Sequence, residues 1–207
     1  MLERNSPHPT TELNYNSNFE LLIAVVLSAQ STDKSVNKVT KKLYQLANTP
    51  EKMLALGENK IIEQIQSIGL YRKKAKNIIK ICEIIIQKHG GKIPSSREEL
   101  EKMPGVGRKT ASVVLNTAFK QKEIGVDTHV FRCANRIKLT QENSAYAVEK
   151  KLLSKIPKKF IMNAHHWLVL HGRYVCTAKK PKCRTCLINS LCEYEHKNMI
   201  NINLKVV

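Results

Sequence analysis

Apolar residues recur along the chain at intervals of three and four, and no two alternating runs are joined by a hairpin turn, so the pattern predicts an all-α protein. Phe19 to Gln30 reads as an almost wholly apolar helix. Asp33 to Leu46 reads as an amphipathic one, with Val36, Val39, Leu43 and Leu46 on one face. Thr49 is placed to cap a short helix that has Pro50 at its first position and Gly57 just past its end. A further short helix is expected over about Lys60 to Ile68, and a long one over Tyr71 to His89, closed by Gly90 and Gly91. Ser95 and Ser96 each stand three residues before a glutamate, so either can open a capping box for a helix from Arg97 to Met103, which Pro104 stops. Helices follow over Arg108 to Phe119, Thr128 to Ile137, Ala145 to Ile156 and Lys159 to Leu170. After Gly172 the pattern dissolves into a cysteine-bearing loop. There is no internal repeat and no low-complexity segment.

Length and charge add to this picture. At 207 residues the chain can hold one large or two small helical domains, and two is the expectation here. Lys and Arg total 35 against 17 Asp and Glu, a formal net charge of +18 that points to a polyanionic partner. The charge is clustered, at Arg72, Lys73, Lys74 and Lys76, at Lys150, Lys151 and Lys155, and at Lys179, Lys180, Lys182 and Arg184. The longest apolar run, Leu21 to Leu27, is far short of the roughly 20 residues that span a bilayer, so no membrane role is expected. The first residues show no apolar h-region, and the expected compartment is a reducing one. There six cysteines do not read as a disulfide framework.

Two segments carry candidate chemistry on helices. Leu100 to Ala111 reads as two helices joined by a turn that holds Gly105, Val106 and Gly107. The second helix begins with free amide N–H groups and the positive end of its dipole, a site suited to a phosphate. Such a hairpin holds the backbone of a nucleic acid rather than reading its sequence, and an ordinary αα-turn with a glycine cap has the same spacing. Gly-x-x-x-x-Gly-Lys-Ser/Thr would need glycine where Arg108 stands, and no strand precedes the glycines, so nucleotide-binding loops are excluded. Lys109 lies in the first turn of the second helix. Helix dipole and Arg108 both disfavour a cation there, the condition under which an amine serves as a nucleophile; the alternative is a plain phosphate contact. Asp127, in Val126-Asp127-Thr128-His129-Val130-Phe131-Arg132, reads as the N-cap of the helix starting at Thr128. A carboxylate fixed in that way can also assist proton transfer or stabilise a developing sugar cation.

Cys176, Cys183, Cys186 and Cys192 are spaced Cys-x6-Cys-x2-Cys-x5-Cys, four thiols within 17 residues. Such a set suits tetrahedral zinc or a [4Fe–4S] cluster, and spacing alone leaves both open. Cys82 and Cys133 fall on apolar helix faces and read as core thiols.

The pieces Leu-Ser-Ala-Gln-Ser-Thr-Asp at 27–33, Ile-Gly-Leu-Tyr at 68–71, Met-Pro-Gly-Val-Gly-Arg-Lys-Thr-Ala at 103–111, Val-Asp-Thr-His-Val-Phe-Arg at 126–132, Leu-His-Gly-Arg-Tyr at 170–174 and the cysteine loop together resemble the endonuclease III family, in order and spacing, from about Pro7 to Tyr194. The resemblance implies two helical domains. One is continuous, 11–121, with six helices and a helix-hairpin-helix over about 97–119. The other joins 1–10 to 122–207 around a cluster loop at 176–192. It implies a bifunctional DNA glycosylase and abasic-site lyase, with a [4Fe–4S] cluster on Cys176, Cys183, Cys186 and Cys192. Lys109 and Asp127 are the implied catalytic pair, facing each other across a cleft. Gly105, Val106, Gly107, Arg108 and His129 stand at the phosphates, while Gln30 and Leu70 enter the duplex at the flipped base. Lys182 and Arg184 of the cysteine loop are expected to contact phosphate. The implied partner is duplex DNA carrying oxidised pyrimidines or abasic sites, met by a monomer in a bacterial-type cytoplasm, at the nucleoid. The chain departs from the family pattern in a short N-terminus, in a 140–146 connection without Pro or Gly, and in Ser112 where a bulkier polar residue is more frequent.

Two rivals remain, the first opposed by Lys109 and the second to be separated by visible absorption and iron content. A sister glycosylase that removes adenine from mispairs would lack a lysine at position 109. A non-catalytic zinc-containing DNA-binding module would need only the hairpin and the charge.

Overall fold

Residues 1–199 are described by the computed structural model, and they form an all-α fold: eleven α-helices and two short 3₁₀ turns among the described residues. The helices are α1 Leu2–Asn5, α2 Asn18–Leu27, α3 Asp33–Leu46, α4 Pro50–Leu56, α5 Glu58–Ile65, α6 Tyr71–His89, α7 Arg97–Glu101, α8 Arg108–Phe119, α9 Thr128–Arg136, α10 Ala145–Lys155 and α11 Ile161–Tyr174. Among the described residues no helix is long and apolar enough to cross a membrane. The chain divides into two compact units, Thr11–Gln121 and Met1–Thr10 with Lys122–Val207, each with its own hydrophobic core.

In the unit Thr11–Gln121, α2 is apolar on every side and buried from Phe19 to Leu27, the expected position for a helix without a polar face. Ser17 caps it, its Oγ accepting from the Glu20 N–H at 3.2 Å. The helix stops at Leu27, three residues before the expected end, and Gln30 adopts a left-handed backbone with φ 55°. Around α2 pack α3, α6 and α8. Helix α3 buries Val36, Val39 and Leu43 as its pattern predicts, but Leu46 is exposed. It is the last residue of the helix, and Ala47, already extended, fills the core in its place. Thr49, Pro50 and Gly57 frame α4 as expected. Gly57, with φ 80°, also divides α4 from α5, so the unit holds seven helices where the resemblance implies six.

The unit Met1–Thr10 with Lys122–Val207 is built on α9 and α11. Helix α11 runs through Gly172 to Tyr174 rather than ending near Leu170. Gly172 is a packing residue, not a stop: a Cβ there would stand 2.9 Å from both the Cys133 Sγ and the His129 Cβ of α9. The Trp167 indole N–H donates to the Ser6 carbonyl at 2.7 Å and ties the N-terminal segment to α11. The short helix α1 has no apolar period to announce it.

Candidate functional site

The hairpin is formed by α7, the turn 102–107 and α8. Of the two candidate serines, Ser96 is the cap, its Oγ accepting the Glu99 N–H at 3.4 Å. The Ser95 carbonyl instead accepts from the Gln121 side chain at 2.7 Å. Helix α7 ends at Glu101, and the chain continues through two tight turns, Met103 N–H to Leu100 carbonyl and Val106 N–H to Met103 carbonyl, both 3.0 Å. Buried Met103 and Val106 anchor the turn, while Gly105 takes φ 82°. An added Cβ at Gly105 would meet the Asn77 Nδ2 of α6 at 2.6 Å, the end of a side chain that has to turn aside, so it is the backbone conformation that requires glycine.

Gly107 is the N-cap of α8 and brings no side chain to the first-turn amides. The N–H groups of Arg108, Lys109 and Thr110 therefore precede the first intrahelical bond, Ala111 N–H to Gly107 carbonyl, at a helix end whose dipole attracts an anion. Arg108 is exposed and Lys109 half-buried in that same turn. One turn further along, Ser112 is fully buried, and its Oγ has no hydrogen-bond partner among the described residues.

Gln30 and Leu70 are brought together by their backbones. Both are left-handed, φ 55° and 58°, a conformation that costs a non-glycine residue about 1–2 kcal/mol. A Cβ at Gly69 would lie 3.6 Å from the Gln30 carbonyl, so the turns that carry the two residues abut. Leu70 is 55% exposed, a large apolar side chain held outward by a strained backbone. Lys74, one of the basic cluster at 72–76, is buried at 4% exposure. Its Nζ donates to the Leu27 carbonyl at 2.9 Å and to the Ser31 Oγ at 3.0 Å, and burial lowers its pKa.

In the other unit, Asp127 caps α9 with one oxygen, Oδ1, which accepts the His129 and Val130 N–H groups at 2.9 Å each. Oδ2 lies outside the cap. His129 Nδ1 is 3.2 Å from Arg132 Nη2, and because a guanidinium only donates, the imidazole accepts there and keeps its own N–H at Nε2. Arg132 also donates to the Gly172 carbonyl at 2.7 Å and the Cys176 carbonyl at 3.0 Å. One turn on, Arg136 donates to the carbonyls of Thr177 at 2.7 Å and Ala178 at 2.8 Å, and its guanidinium lies over the Tyr194 ring at 4.7 Å.

These two arginines hold the start of the cysteine loop. Two 3₁₀ turns, Cys183–Thr185 and Asn189–Leu191, each deliver a cysteine at the next position, Cys186 and Cys192. Cys176, Cys183, Cys186 and Cys192 are partly buried free thiols that ring one cavity together with Ile137, His171, Val175 and Tyr194. Among the described residues no three His, Cys, Asp or Glu side chains converge as ligands of a single metal ion. The Cys133 thiol and the Arg136 guanidinium draw the Cys176 pKa down to about 6, while burial pushes Cys186 up. Cys82 and Cys133 are buried in the two cores, as their apolar faces predict. Lys182 and Arg184 are exposed on the same loop.

Comparison with known proteins bears on this geometry. Residues 23–158 match the model of the HhH-GPD superfamily of base excision DNA repair proteins. The chain is 57% identical to endonuclease III of Escherichia coli K12 over 196 residues, 95% of this chain and 93% of that protein. It is 56% identical to endonuclease III of Haemophilus influenzae over the same share of each. The chain belongs to the endonuclease III family. A solved structure of a trapped covalent intermediate between endonuclease III and DNA aligns with a TM-score of 0.87 and 46% identity, covering 93% of this chain and 91% of that one. As a family member the chain is a base excision repair enzyme of the DNA glycosylase and abasic-site lyase class.

For this endonuclease III family member, sequence reasoning missed Lys74, Arg132, Arg136 and the packing role of Gly172. Arg132 and Arg136 are four apart and flank Cys133 on a strongly amphipathic helix, a signal that was present. A lysine inside a basic run gives none for Lys74.

Proposed function

We propose that the protein removes oxidised pyrimidines from duplex DNA through a Schiff base on Lys109 and then cleaves the abasic site on its 3′ side. The observation that carries this reading is a half-buried lysine in the first turn of α8, beside backbone amides that no side chain caps. Phosphate-binding groups and an amine nucleophile thus share one helical turn. That an endonuclease III has been trapped covalently on DNA supports a covalent route here.

In this reading the hairpin residues Gly105, Val106, Gly107 and Arg108 lie along the DNA backbone, held through the Gly105, Gly107 and Arg108 amides while the Val106 N–H closes the turn onto Met103, with further phosphate contacts from His129 Nε2–H, Lys182 and Arg184. The damaged nucleotide leaves the stack at a cost of a few kcal/mol, and Leu70 and Gln30 enter the gap. Lys109 Nζ attacks C1′, the glycosidic bond breaks and the base departs with the electron pair. Asp127, fixed by its cap bonds, stabilises the positive charge that develops on the sugar. The nitrogen, having lost a proton, then expels O4′, which is protonated as the sugar ring opens and leaves a Schiff base at C1′; protonated, this acidifies the C2′ proton, whose loss expels the 3′ phosphate oxygen, and water hydrolyses the C=N bond to release Lys109.

Cys176, Cys183, Cys186 and Cys192 would hold a [4Fe–4S] cluster. The four thiols line one cavity, and membership of the endonuclease III family supports the cluster over a zinc ion. Bound by these cysteines, the cluster would brace the loop that presents Lys182 and Arg184. The enzyme works as a monomer on cytoplasmic DNA, as part of the same reading.

Incubation with a duplex bearing one thymine glycol, in the presence of borohydride, tests the reaction class. A covalent protein–DNA adduct is expected, and cleavage of the strand without any adduct would defeat the reading.

A further inference from the structure

Lys74 is a buried ammonium that the proposed chemistry does not use. It sits one turn into α6, and its own N–H donates to the Leu70 carbonyl at 3.0 Å. Its side chain crosses to the other turn, where Nζ donates to the Leu27 carbonyl and to Ser31 Oγ at 2.9 and 3.0 Å. Leu27 is the last residue of α2, so its carbonyl lies among those a helix leaves without an internal partner, at the end whose dipole favours a cation. Gln30 directly precedes Ser31, and Leu70 is the N-cap of α6. One residue therefore bonds to both of the turns that carry the two exposed left-handed side chains.

Burying an ammonium is unfavourable, and an apolar side chain of the same length would fill this space without that cost. What an apolar side chain cannot do is hold the Leu27–Ser31 turn against α6. A residue that enters duplex DNA loses effect when its position drifts by an ångström, and a left-handed turn at a non-glycine residue has an easier conformation to relax into.

We propose that Lys74 is a positioning residue that locks the Gln30 and Leu70 turns at the spacing with which both side chains enter the duplex together. This rests on the reading of Gln30 and Leu70 as the residues that fill the gap.

The test compares borohydride trapping on an abasic site in a duplex with trapping on the same oligonucleotide as a single strand, where there is no stack to enter. The quantity read is the ratio of the two rates. Lys74→Met, which keeps the length and removes the donors, is expected to lower that ratio on the order of tenfold to a hundredfold. Ser31→Ala, which removes one of the two side-chain bonds and leaves the lysine in place, is expected to lower it by a smaller factor at unchanged melting temperature. Should Lys74→Met fail to fold, Ser31→Ala alone decides, an unchanged ratio overturning the proposal. A Lys74→Met enzyme slowed equally on both substrates overturns it too, since a role confined to the fold does not distinguish them. Gln30→Ala and Leu70→Ala serve as references. If they lower the ratio and Lys74→Met does not, only the role of Lys74 fails; if they leave the ratio unchanged, the gap-filling reading fails and this proposal with it.

Discussion

The Arg136 guanidinium lies against the Cys176 thiol, Nη1 to Sγ 3.7 Å, while the same group binds the carbonyls of Thr177 and Ala178. A side chain on α9 thereby fixes the first residues of the cysteine loop. Arg136→Met keeps the stem and removes the charged donors, each worth about 1.5–3 kcal/mol when buried and less at this partly exposed site. The expected result is a protein that folds but is isolated with clearly less iron, checked by metal analysis and visible absorption. Iron content equal to that of the unaltered chain would remove Arg136 from the support of the site. Unaltered protein prepared anaerobically is expected to be brown with four irons per chain; stoichiometric zinc and no iron would contradict the cluster.

Asp127 has a capping role and a proposed chemical one, and two substitutions part them. Asp127→Asn keeps an oxygen for the His129 and Val130 amides, so stability should change by a few tenths of a kcal/mol at most, while turnover falls strongly. Asp127→Ala loses the cap as well and should cost about 1 kcal/mol in denaturant unfolding. Full turnover in Asp127→Asn would leave the residue as a cap and no more.

At the hairpin, Gly105→Ala forces a Cβ onto φ 82° and against Asn77. The backbone alone should cost about 1–2 kcal/mol, and affinity for DNA of any sequence should fall with it. Combining it with Asn77→Ala should recover the part due to the steric clash and leave the backbone part, which a denaturant midpoint can resolve. An unchanged midpoint in Gly105→Ala would mean that the turn accommodates a side chain.

Lys182 and Arg184 are exposed on the cysteine loop and are expected to neutralise phosphates. Replacing either by Gln should weaken binding to all sequences alike and flatten the dependence of log K on log salt by about 0.9 for each phosphate that is no longer neutralised. A salt titration with an unchanged slope would take these residues away from the DNA.

The bounds of α3, α6 and α8 are legible to the residue, because Thr32, Gly90 and Gly107 punctuate an unbroken apolar period. The end of α2 is not: a left-handed Gln30 has no compositional mark, since the conformation is imposed by the packing around it rather than by the residue. Gly172 shows the opposite failure. Its residue type suggests a helix end, yet it serves the close approach of α9 and α11. In the same way the candidate residues Lys109, Asp127 and the four cysteines stand out through spacing and motif. Lys74 is invisible, because a lysine among basic neighbours on an amphipathic helix reads as surface until its carbonyl partner at Leu27, 47 residues earlier, is known.

The central claim is that Lys109 is the nucleophile, and borohydride trapping of Lys109→Gln on a duplex with one thymine glycol or one abasic site tests it most directly. The backbone amides of the hairpin do not depend on that side chain, so the variant should still bind abasic DNA within about an order of magnitude of the unaltered chain. The expected result is retained binding with neither covalent adduct nor strand cleavage. An adduct formed by Lys109→Gln at the rate of the unaltered enzyme would place the nucleophile on another residue and contradict the mechanism.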